Sequence, residues 1–122
     1  RAIMAGFSAR IPSGSTNGRM VKVVATATAG TTLHTAVTGT DDMDEIWIWA
    51  VNSDTTDRKL TIEFGGVTAP DNLIEYTVPA ENGFHLIVPG IRLQNGLVVA
   101  AFAATANVIM CAVNINRMHR NA

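Results

Sequence analysis

Apolar and polar positions alternate with a period of two through most of this chain, the spacing that puts successive side chains on opposite faces of a β-strand. The pattern is densest in Asp44–Gly66, DEIWIWAVNSDTTDRKLTIEFGG. Its first half is apolar on both pleat faces, Ile46, Ile48 and Ala50 against Trp47, Trp49 and Val51. A polar turn follows, and then a cleanly alternating strand with Leu60, Ile62 and Phe64 on one side and Lys59, Thr61 and Glu63 on the other. This reads as a β-hairpin at the centre of a sandwich, its first strand wet on neither face and its second wet on one.

The rest of the chain follows the same grammar. Met20–Ala29 alternates and is rich in β-branched residues, so it is read as a strand that Gly30 breaks. Leu33–Val37 is a short second strand. Leu73–Val78 and Phe84–Val88 are two more, divided by Pro79–Gly83, and Ile91–Leu93 is a further extended piece. Leu97–Ala104 and Val108–Asn116 are apolar on both faces. Ala-rich Leu97–Ala104 also fits a buried helix, but β-branched ends and tight flanking turns favour strands. Three Asn-Gly pairs, at 17–18, 82–83 and 95–96, mark turns. About eight short strands and no helix-length period predict an all-β fold, an antiparallel two-sheet β-sandwich. A jelly roll of two four-stranded sheets is the leading topology, with an immunoglobulin-like sandwich as the alternative.

Residues 1–19 read as an extended N-terminal arm, 20–116 as the sandwich domain, and 117–122 as a short C-terminal tail. The arm carries Ile3, Phe7 and Ile11 without a sustained period and ends in the turn-forming SGSTNG. Large apolar residues in a tail favour contact with a neighbouring subunit over solvation. The tail supplies Arg117, His119 and Arg120 as basic candidates for the same job.

Composition sharpens this picture. Hydrophobic residues make up 48% of the 122 and charged residues 16%, against roughly 25% charged in typical soluble domains. With Trp47 and Trp49 on the outer face of one strand, the chain carries more apolar surface than two layers hide. The net charge of −1, with no basic run, gives no footprint for nucleic acid. No apolar stretch has the length of a membrane-spanning helix, and the first residues lack a charged-then-apolar leader pattern.

Candidate chemistry is sparse. His34, His85 and His119 are scattered without metal-ligand spacing and read as surface or hydrogen-bonded residues. Cys111, the one cysteine, sits in an apolar strand and reads as an inert buried thiol. Asp41, Asp42, Asp44 and Glu45 lack the EF-hand spacing and read as a solvated loop. Glu63 and Glu75 share faces with Lys or Thr and read as wet surface rather than a glycosidase pair. No phosphate loop, nucleophile elbow or zinc-protease motif occurs. The expectation is a non-enzyme that needs no cofactor or metal.

The phrases GTTLHTAVTGT, DEIWIWAVNSDTTDRKLTIEFGG and IEYTVPAENGFHLIVPGIRLQNGLVVAAFAATANVIMCAVNIN, between Gly30 and Asn116, resemble small virion proteins of tailed bacteriophages. The resemblance implies a compact β-sandwich attached to the phage particle, a trimeric decoration or cement protein on the capsid surface whose partner is the major capsid protein. It brings no functional-residue motif. A host-recognition module on a fibre or head, binding a receptor or glycan through Asp41–Asp44 and Ser53–Asp57, is the alternative expectation.

Overall fold

The computed structural model describes Gly6–His119. The elements in chain order are β1 (Gly6–Arg10), β2 (Val21–Lys22), β3 (Thr31–Thr35), β4 (Met43–Asn52), β5 (Arg58–Phe64), β6 (Leu73–Val78), β7 (His85–Leu93), β8 (Val98–Ala103) and β9 (Ile109–His119). Among the described residues all regular structure is strand, Val98–Ala103 of the Leu97–Ala104 stretch included, and the strands form two antiparallel sheets. The first runs β1-β9-β4-β7, with β2 also on β9, and the second runs β3-β8-β5-β6. β2 pairs with β9, β3 with β8, β4 with β7 and β5 with β6, so the pairings nest outward from the β5–β6 turn.

The core lies between the sheets. Ile46, Ile48 and Ala50 of β4 face Leu60 and Ile62 of β5 across it, with Val99, Ile109 and Ile115 alongside. Each such Val, Leu or Ile side chain contributes about 1.5–3 kcal/mol on burial. Because the inner residues alternate strictly along β4, a slip of one position would expose the whole row, and this fixes the ten-residue register of β4 on β9.

The structure corrects the sequence reading in several places. β4 and β5 are not a hairpin: β4 belongs to the first sheet and β5 to the second, and residues 53–57 carry the chain between layers. Buried Asn52 organises that crossing. Its Nδ2 donates to Thr56 O and to Val78 O, both at 2.9 Å, and its Oδ1 accepts the Asp54 N–H.

The wet and dry faces are also exchanged. β4 alternates between buried and half-buried residues, whereas β5 is buried on both sides, with Thr61 and Glu63 almost without exposure. The cover over β5 comes from the Met20–Ala29 segment. Only Val21–Lys22 of it forms a strand; the chain then leaves the first sheet, and Ala25 O accepts the Ala103 N–H of β8. Finally, residues 6–10 of the expected arm are a strand of the chain's own sheet, and β9 continues past Asn116 to His119.

Candidate functional site

The outward face of the first sheet can be built up row by row, because directly opposed residues of antiparallel strands point the same way. Trp47 stands between Pro89 on β7 and Asn114 on β9. Trp49 stands between Leu86 and Ala112, and Val51 beside Met110. At the opposite end, Met43, Met118 and Phe7 line up across β4, β9 and β1. A polar row crosses the middle, with Glu45 opposite Asn116 and reaching Arg92 at 3.6 Å.

The face is therefore apolar at both ends with a thin polar belt. Its two tryptophans are half-buried, while Phe7 is 63% and Leu86 50% exposed. Trp47 owes part of its burial to the close approach of Gly90. Gly90 has φ +79°, and a Cβ there would stand 2.8 Å from Trp47 Cε2. Only glycine lets β7 run this close to the indole while holding a left-handed backbone.

The terminal candidates divide. Phe7 lies on β1 at the rim of this face, and Ile11 is 59% exposed just beyond it. No residue of β1 is buried, so it adds an edge strand without adding core. The chain is anchored further on, where the Ser13 N–H donates to His34 Nδ1 and the Gly14 N–H to Leu33 O. His119 holds β1 from the other side, with Nε2 2.7 Å from Ser8 Oγ and Nδ1 3.2 Å from Asp42 Oδ2. Arg117, expected to reach outward, turns inward to Asp44 instead. Ile3 and Arg120 lie outside the described residues.

Asp44 is the largest departure from the sequence reading. It is not part of a solvated acidic loop but is fully buried. Its Oδ1 accepts from Arg117 Nε at 2.7 Å; its Oδ2 accepts from His34 Nε2 at 2.7 Å, from Arg117 at 3.1 Å and from the Val37 N–H at 3.0 Å. Burial alone pushes this carboxyl up, but the hydrogen bonds from Arg117 and His34 and the charge of Arg117 outweigh it and hold the group below its usual value.

The Ser13–His34–Asp44 order resembles a nucleophilic triad on paper only. His34 is 3% exposed, and the Ser13 backbone N–H occupies Nδ1, which fixes the imidazole hydrogen on Nε2, toward Asp44. The Ser13 hydroxyl oxygen accepts the Thr35 N–H and does not meet the ring. Both ring nitrogens are thus committed to holding the sheets together. Cys111 lies in the core, and burial pushes its thiol up to about 12, far from a thiolate nucleophile.

Sequence reasoning also missed Glu63. It lines a cavity of about 220 Å³ on the outer side of the second sheet, with Ala29, Gly30, Thr32, Val67 and Ala100 around it. A second hollow of about 290 Å³ lies by Met43, Arg92, Gln94 and Leu97. Among the described residues no three His, Cys, Asp or Glu side chains group as metal ligands. No family model matches this sequence, and no match was found among curated proteins or solved structures.

Proposed function

We propose that this chain is a structural subunit whose work is attachment: it decorates and stabilises a tailed-phage capsid by bridging major capsid subunits, as a trimer. The observation that carries the reading is the outward face of the first sheet, where Trp47, Trp49, Leu86, Met110, Met118 and Phe7 are aligned by strand register on a rigid surface. Such a face loses apolar area to water only when another surface covers it.

Three further features support the reading. β1 lies at the edge of the first sheet with none of its residues buried, so a neighbour can add to its open side without cost to the core. His34 and the buried Asp44 are engaged in holding the fold, and Cys111 lies in the core. The nested strand pairing favours a jelly roll over an immunoglobulin-like order, and the jelly roll is a fold that capsid proteins use. The fold by itself names no function; the likeness of Gly30–Asn116 to phage virion proteins supplies that step. Symmetric copies around a local threefold would turn several weak contacts into high avidity.

The test is binding of the purified chain to undecorated phage heads. The reading predicts saturable binding, many copies over the shell by electron microscopy, and heads that survive a higher temperature. Copies confined to one vertex or a fibre tip, with unchanged head stability, would favour host recognition instead.

A further inference from the structure

The cavity on the second sheet has one feature that packing does not require. Glu63 is 1% exposed, yet no Lys, Arg or His nitrogen among the described residues lies within ion-pair distance of it. Its carboxylate accepts only two neutral donors, Thr28 Oγ1 on Oε2 and the Gly30 N–H on Oε1, each at 2.7 Å. A carboxylate has about four acceptor positions, so two remain, and a charge held in a low-dielectric site without a partner is costly. The same side chain lines the cavity, whose other walls are Thr32, glycine backbone and small apolar groups from Ala29, Val67, Val98 and Ala100.

We propose that this cavity is a binding site for an alkylammonium group: a cationic nitrogen hydrogen-bonds the free positions of the Glu63 carboxylate while its hydrocarbon stem lies against Val67, Val98 and Ala100. The volume of about 220 Å³ suits one side chain or one small amine, and is below the range of drug-sized pockets, roughly 300–1,000 Å³. A lysine side chain of a partner protein and a free alkylamine present the same chemistry here. The site stands apart from the first sheet's outward face, so it does not depend on the proposed capsid attachment.

A purely structural Glu63, serving only to clamp the 24–30 segment, makes a different prediction. Glu63→Gln preserves the clamp: its Oε1 accepts the Gly30 N–H, and its Nε2 donates to the Thr28 hydroxyl, which can accept as well as donate. Only the charge is lost. The experiment is an NMR titration of the full chain, following the amides of Gly30, Gly65 and Gly66. The probes are n-butylammonium, the neutral n-butanol, and the blocked tripeptide Gly-Lys-Gly.

We expect saturable shifts with n-butylammonium or the tripeptide, at least about tenfold weaker in Glu63→Gln, as befits loss of a charge-assisted hydrogen bond, and much weaker with n-butanol. A response to the amine alone marks a small-molecule site, and a response to the tripeptide marks a protein lysine. Absent saturation by both cations, equal response to n-butanol, or a Glu63→Gln chain that binds equally well overturns the proposal.

Discussion

His34 on β3 and Asp44 on β4 belong to different sheets, and they meet at 2.7 Å in the buried interior. With Arg117 on the opposite side of the carboxylate, they tie three strands together at one end of the sandwich. Asn52 does the equivalent work at the other end of β4, donating to Val78 O on β6. The inward row of β4 is thus a run of aliphatic side chains closed at each end by a satisfied polar group. Apolar burial stabilises the sandwich, and the two polar ends set the register of one sheet on the other.

Asp44→Asn tests that arrangement. The variant leaves the Arg117 guanidinium without its anion, and Arg117 is partly screened, with a side chain 21% exposed. We expect a loss of about 2–3 kcal/mol in urea unfolding, somewhat under the roughly 3–5 kcal/mol of a fully buried pair. Asp54→Asn, which breaks the surface pair with Arg58, should leave the midpoint unchanged.

The same carboxylate sets an acid limit. Its folded pKa lies below the unfolded value near 3.8, so the unfolded chain takes up the proton more readily. The stabilisation is complete above about pH 5 and is lost as pH falls through the unfolded value toward the lower folded one. Urea midpoints between pH 3 and pH 7 should fall on the acid side, and more gently in Asp44→Asn. Parallel acid limbs in the two proteins would contradict this.

Cys111 should not react with Ellman's reagent in the native state at pH 8, because burial pushes its thiol up to about 12 and the core excludes the reagent. Full reaction should appear together with unfolding in urea. Labelling within minutes in buffer would contradict the placement of β9.

Gly90→Ala should cost about 1–2 kcal/mol, from the left-handed backbone and from the collision with the Trp47 indole. Displacement of Trp47 toward water would shift the fluorescence to the red. An unchanged midpoint and spectrum would mean that the indole does not lie on Gly90.

The fold class was legible because short β-branched stretches recur between tight turn signals, and the two-faced apolar Leu97–Ala104 has β-branched residues near its start and tight flanking turns. The sheet assignment of β5 was not legible. A short polar turn such as Ser53–Asp57 looks the same whether it closes a hairpin or carries the chain between layers, and what separates them is Asn52 reaching Val78. Thr61 and Glu63 look wet by residue type, and only a segment more than thirty positions earlier in the chain makes them dry. Asp44 reads as one of its acidic neighbours because sequence distance hides Arg117, which reaches it from the far end of β9. Long-range pairing of polar groups leaves no local signal. The Trp47 and Trp49 face, in contrast, was visible directly from alternation, since side chains on a strand have only two directions to choose from.

Sedimentation equilibrium of the purified chain, beside Trp47→Ser with Trp49→Ser, tests the attachment claim most directly. The account predicts three chain masses for the native protein and one for the folded double variant, which also ceases to bind phage heads. A native protein that stays at one chain mass across the micromolar range, with a double variant that binds heads equally well, would contradict it.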